Sequence, residues 1–226
     1  NTFNYTDMAD IELVVGGYNS QPGEFILILE GMVLAREDGA GDPLADVSDI
    51  ESFRGLARLL PRDAVWVTTH LQRTHQTMAA IGAAGYPLPE AGAKGVEIDL
   101  GEQSFGELQG RPRHEVFATV EFQRHRFWLT APEVAPPGGE SFEDLLGRVT
   151  PVVERLTHEH SRRDVICVAH GGTIRAALAH ALGIPAAKAL HFQVDNLSVT
   201  RIDHHPAEEN WPEPAWQVVT VNRHPR

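Results

Sequence analysis

The sequence predicts an α/β fold, a three-layer sandwich in which helices cover both faces of a mostly parallel sheet. Two observations carry this. Apolar bursts of strand length alternate along the chain with segments of helical period. One burst, Val165-Ile166-Cys167-Val168-Ala169, runs straight into His170-Gly171-Gly172-Thr173 and a helix closed by Gly183. That junction throws His170 out at the carboxyl end of a buried strand, beside a helix amino end, where open α/β sheets bind ligands and free N–H groups favour anions. The 226 residues suit a single domain, 1–226, able to bury a sizeable core.

Taken in order, Ile11–Val15 has the pattern of an edge strand and Phe25–Leu29 that of a buried one. Asp49–Leu60 reads as a helix, Ala64–Thr69 as a strand and Gln72–Ala84 as a helix. Gly85 to Gly139 is rich in Gly and Pro and lacks a clean period, which predicts a lid insertion over the sheet's carboxyl edge. After Pro136-Pro137-Gly138-Gly139, Ser141 with Asp144 signals a helix start. Leu145, Val149, Val152, Val153 and Leu156 then trace the apolar face of a helix over Ser141–Glu159. Asp164–Ala169 is a strand, Gly172–Leu182 a helix, and Leu197–Ile202 and Trp216–Val221 are strands. His204-His205, in a polar stretch rich in Pro and Glu, reads as an exposed loop.

A net charge of −12 repels nucleic-acid phosphates and anionic membrane surfaces, so neither is an expected partner. It leaves room for one small, phosphorylated ligand, because local pocket charge decides that case. The single cysteine, Cys167, rules out an intramolecular disulfide and fits a reducing, cytoplasmic setting; inside a buried strand it reads as an inert core thiol. No apolar run approaches the roughly 18 residues of a membrane helix. No signal-peptide pattern opens the chain, although it begins at Asn1 rather than a methionine, so a removed leader stays open. Nothing has zinc-ligand spacing, and neither a metal nor a cofactor is expected. The oligomeric state is not fixed by sequence; a dimer is compatible with it.

Five segments resemble the histidine phosphatase superfamily, the phosphoglycerate mutase-like branch 1. Ala169-His170-Gly171-Gly172-Thr173-Ile174-Arg175-Ala176 is similar to its second histidine motif, followed by the similar strand Val194-Asp195-Asn196-Leu197-Ser198-Val199-Thr200. Thr68-Thr69-His70-Leu71-Gln72-Arg73-Thr74-His75-Gln76-Thr77 resembles its Ser-Ser-Pro-Leu-x-Arg-Ala-x-x-Thr block. Glu102-Gln103-Ser104-Phe105-Gly106-Glu107-Leu108-Gln109-Gly110 resembles its general-acid loop, and Pro136-Pro137-Gly138-Gly139-Glu140-Ser141-Phe142 a further familiar block. The resemblance implies a phosphoglycerate mutase-like fold with His170 as phosphate ligand and Arg73 as a bidentate guanidinium clamp. It makes Glu102 the acid that protonates the leaving oxygen, with Glu97 as the competitor, and it places Gly171, beside His170, at the ligand.

The departure is central. In that family an Arg-His-Gly motif supplies the histidine that attacks phosphorus; this chain has Leu29-Glu30-Gly31. Met32-Val33-Leu34-Ala35 follows without the usual Thr and Asn, whereas Asp42-Pro43-Leu44 still resembles the family's turn. A carboxylate about 4 Å from a phosphate charge costs roughly 4 kcal/mol at an effective dielectric of 20, near a thousandfold in affinity. The lost arginine forfeits about 1.5–3 kcal/mol more of charged hydrogen bonding. Glu30 therefore reads as a repurposed catalytic acid or base, or as a partner neutralising Arg73, with Gly31 beside it at the ligand. The expectation is a superfamily member that retains a small-ligand pocket without phosphohistidine chemistry. Two alternatives stay open: an enzyme of altered mechanism using Glu30 and His170 on a small organic phosphate, and a protein-interaction module. His70 and His75, which flank Arg73, are the remaining candidates to replace the lost nucleophile.

Overall fold

A computed structural model describes residues 23–29, 33–34, 44–90, 92, 95–111, 115–116 and 124–225. The edge strand expected over Ile11–Val15 lies outside these residues, as do Glu30 and Gly31.

The chain runs β1 (Gly23–Leu29), β2 (Val33–Leu34), β3 (Leu44–Ala45), α1 (Ile50–Leu59), β4 (Val65–Thr68), α2 (Gln72–Ala83) and β5 (Gly95–Val96). It continues with α3 (Phe142–Glu159), β6 (Val165–Ala169), α4 (Gly171–Leu182), α5 (Ala186–Ala189), β7 (Val199–His205) and β8 (Ala215–Arg223). Six strands form one sheet in the order β5-β4-β6-β1-β7-β8. The first four are mutually parallel, and β7 runs antiparallel to both its neighbours. β2 and β3 pair as a separate ribbon.

The layering follows from strand alternation. Val65, Val67, Val165, Cys167 and Ala169 join one core with Phe142, Leu145, Val149 and Val153 of α3 and Ile174 and Leu178 of α4. Trp66, Ile166 and Val168 point the other way, into a core with Phe53 and Leu56 of α1 and Met78 and Ile81 of α2. Both faces of β4 and β6 are thus covered, which is why these strands are buried at every position rather than every second one.

Each long helix has a local cause. At the start of α3 the Ser141 hydroxyl accepts the Asp144 N–H while the Asp144 carboxylate accepts the Ser141 N–H, a reciprocal capping box. α4 ends at Gly183 in the left-handed conformation, φ 60°. Pro151 sits inside α3 and removes one rung of its ladder; the carbonyl it orphans belongs to exposed Gly147, where water can serve.

One expectation needs correction. His204 and His205 are the last residues of β7, not an exposed loop, and the His204 ring packs on Trp216 at 4.7 Å between centroids. Pairing with β8 carries the strand beyond the point where local polarity suggested it would stop. The Gly85–Gly139 stretch contributes β5, which pairs Gly95 with Val67 and extends the sheet, together with 3-10 turns at Ile98–Leu100 and Gly106–Leu108. Two ladder residues are too few to leave a period in the sequence.

Candidate functional site

The parallel strands β1, β4 and β6 end side by side, with Leu29 paired to Ala169 and Val67 to Cys167. The residues that follow β4 and β6, Thr69 and His170, come together at that edge although 101 positions apart. His170 is the N-cap of α4 and fully buried. Its Nε2 lies 2.9 Å from the Thr69 hydroxyl and its Nδ1 lies 3.4 Å from Nη2 of Arg73.

These two contacts assign the tautomer. A guanidinium only donates, so Nδ1 presents its lone pair to Arg73 and the proton rests on Nε2, which donates to Thr69. The ring is thereby held in one orientation by both nitrogens. Arg73, only 6% exposed, supplies fixed positive charge beside it.

The turn before α2 aims both partners. The Thr74 hydroxyl accepts the Thr69 N–H and donates to the Leu71 carbonyl at 2.8 Å, while the Thr69 hydroxyl accepts the Leu71 N–H. α2 has no side-chain cap at Leu71; this threonine pair organises its entrance instead. Of the flanking histidines, His75 lies 3.4 Å from the Thr68 hydroxyl, and exposed His70 packs over Gly101.

Glu102 reaches the same place from the other side. Its Oε1 accepts the N–H of Gly172 at 3.1 Å, so a carboxylate stands on the first turn of α4 beside His170. Glycine is needed there: a Cβ on Gly172 would sit 2.6 Å from that oxygen and 2.9 Å from Leu145. Glu97, the competing acid, instead pairs with Arg155 of α3 at 2.7 Å. Gly171 borders the site through its carbonyl, which accepts from Nη1 of Arg175. The Arg175 guanidinium stacks on Trp128, 4.9 Å from the ring centroid, and the Trp128 indole donates to Gln103.

The described structure therefore brings His170, Arg73, Glu102 and Gly171 to one edge of the sheet. Thr69, Gln103 and Arg175 belong there too and were not singled out in sequence. Each lay within a recognised block, but a threonine, a glutamine and one more helical arginine carry no chemical signature until their partners are seen. Cys167 is buried inside the core, where desolvation, with Glu97 adding to it, pushes its thiol far up and leaves it un-ionised.

The branch 1 model of the histidine phosphatase superfamily matches residues 49–216. The chain belongs to this superfamily. The match begins after Leu29-Glu30-Gly31, so it rests on the half of the site just described. A bifunctional protein of Mycobacterium tuberculosis is 30% identical over 192 residues, 81% of this chain and 51% of that protein. The glucosyl-3-phosphoglycerate phosphatase of Mycolicibacterium vanbaalenii is 34% identical over 127 residues, 53% of each. The chain spans about half the length of these curated relatives. Among solved structures, a mycobacterial glucosyl-3-phosphoglycerate phosphatase superposes with TM-score 0.71 at 23% identity, covering 89% of this chain and 99% of that one. An α-ribazole phosphatase from Shigella flexneri gives 0.66 at 22% identity, over 88% and 96%. Identities this low establish the shared fold.

Proposed function

We propose that this superfamily member keeps a small-ligand pocket built from Glu30, Arg73, Glu102 and His170, with Gly31 and Gly171 bordering it, and does not transfer phosphoryl groups through histidine. One observation carries the reading. β1 and β6 are paired in register to their last residues, Leu29 opposite Ala169, and the residue that follows Leu29 in sequence is Glu30 rather than a nucleophilic histidine. Imidazole attack needs an unprotonated nitrogen aimed at phosphorus, and a carboxylate in its place repels the phosphoryl oxygens by the roughly 4 kcal/mol estimated for a charge at about 4 Å. Glu30 facing Arg73 would neutralise the buried guanidinium from the side that a phosphate otherwise takes.

The ligand class follows from the pocket's parts: a small molecule, carrying a phosphate or a less anionic group, read by Arg73 and the amino end of α4. The phosphorylated substrates named for the relatives support the first option. Glu102 and Gln103 bring part of the 85–139 segment to this edge, which supports a lid role for it in a cytoplasmic enzyme-like fold.

The test is turnover of para-nitrophenyl phosphate and of phosphoglycerates at acidic and neutral pH. Background rates are expected from the native chain, and the pair of changes Leu29→Arg with Glu30→His is expected to raise phosphate affinity. Capture of phosphohistidine on the native chain would refute the reading. A second reading, an enzyme of altered mechanism, draws on the intact Thr69–His170–Arg73 arrangement. Native turnover lost in both Glu30→Gln and His170→Asn would replace the first reading with that one.

A further inference from the structure

One guanidinium away from the pocket has every donor engaged. Arg148, on α3, donates from Nη1 to the carbonyls of Asp99 (2.7 Å) and Gly101 (3.0 Å), and from Nη2 to the carbonyl of Glu102 (3.1 Å). Its Nε and Nη2 also hold the two oxygens of Glu140, at 2.9 and 2.6 Å. An arginine carries five N–H groups in a planar fork, and these contacts use all five.

Glu140 extends the same clamp. Its Oε1 also accepts the Ser104 N–H at 2.9 Å, its N–H donates to the Ser104 carbonyl at 2.9 Å, and its carbonyl accepts from the Gln103 amide. Behind it the backbones of Gly106 and Gly139 meet so closely that a Cβ on Gly106 would lie 2.1 Å from the Pro137 carbonyl oxygen. From the opposite side, the Thr173 hydroxyl of α4 reaches the carbonyls of Leu100 and Gly101, at 3.0 and 3.1 Å. Four successive carbonyls, Asp99 to Glu102, are thereby tied to α3 and α4, and the residue they deliver is Glu102.

We propose that Arg148 is the positioning residue of the pocket: through its fork on residues 99–102 and Glu140, it sets the Glu102 carboxylate on the Gly172 N–H. Glu102 in this position is an anion supplied by the protein itself, occupying a donor at the amino end of α4. A phosphate approaching His170 meets that carboxylate first. Arg148 thus governs how firmly the pocket discriminates against anions. The inference rests on the reading of Glu102 as a pocket group.

The experiment reads the Gly172 amide resonance by 15N–1H NMR in the full chain. Glu102→Ala is expected to shift it, because the amide loses a charged acceptor. Arg148→Met is expected to move it to nearly the same place, and Arg148→Lys, with three donors and no fork, part of the way. Arg155→Met on the same helix, which loses the pairs with Glu97 and Glu159, should leave it at the native position. Inorganic phosphate should bind about two- to fivefold more tightly to Glu102→Ala and to Arg148→Met, the scale of one charge at a helix terminus. A residue that merely props up the fold would weaken phosphate when removed. The proposal falls if Gly172 stays at its native position in folded Arg148→Met or Arg148→Lys, or if phosphate affinity drops in either. Failure of the phosphohistidine reading would register in turnover instead, so the two are separable.

Discussion

His170 is a buried imidazole with one nitrogen at the Thr69 hydroxyl and the other facing a cation. Removing the hydroxyl while keeping the shape isolates that interaction. Thr69→Val should lower stability by about 1–3 kcal/mol, the usual cost of stranding a buried polar group, and Thr69→Ser should restore most of it. Urea unfolding measures both. Gly172 is constrained by space: Gly172→Ala forces a methyl against Glu102 and Leu145 and should cost about 1–3 kcal/mol. The same unfolding experiment should show this loss largely relieved in Gly172→Ala with Glu102→Ala, because one of the two obstructing groups is then gone.

The clamp between the 99–104 segment and α3 is where helix chemistry and site geometry meet. Ser141 and Asp144 close the amino end of α3 two positions after Gly139, so the cap also fixes where Glu140 points. Ser141→Ala should cost about 1 kcal/mol, seen as a lower urea midpoint at unchanged slope. Burial opposes ionisation of Glu140, but the Arg148 fork and the Ser104 N–H outweigh it and hold the carboxyl below its ordinary value. A depressed carboxyl contributes stability that is present above the ordinary glutamate value and fades as pH falls through the lower folded value. The Ser104 amide, which the Glu140 carboxylate accepts, should therefore lose exchange protection only in strong acid, and Glu140→Gln should show that loss at neutral pH.

For the molecule as a whole, acid should act in two steps. Burial lowers His125, His180 and His204: His191 reinforces it at His125, Glu154 opposes it at His180, and His205 and His180 add to it at His204. Unfolding lets these imidazoles take up protons, so their contribution is present above the ordinary histidine value of about 6.5 and declines as pH falls through it. The depressed carboxyls of Asp46, Asp144, Asp195 and Glu140 give way only further down. Urea midpoints from pH 8 to 5 should fall steadily, and His180→Asn with His204→Asn should flatten that slope; an unaltered slope would assign the first step elsewhere.

The order of strands and helices, both covered faces of the sheet and the placement of His170 at a strand end were all legible in sequence, because burial imposes period and glycine marks junctions at each of these places. Arg73 and Glu102 were legible as members of recognisable blocks. What they touch was not. The Thr69–His170 contact spans 101 positions, and the Arg148 fork joins a helix to carbonyls nearly fifty residues earlier. Backbone carbonyls are identical in every residue, so no pattern of side chains announces which of them a guanidinium will claim. Tertiary packing also chose between Glu97 and Glu102, two carboxylates of the same chemistry: Arg155 on α3 holds one away from the edge, and the bare backbone of Gly172 admits the other. Sequence alone determined which groups are available at the carboxyl edge. Only the folded chain decided which of them meet, because hydrogen bonds are made across space and not along the chain.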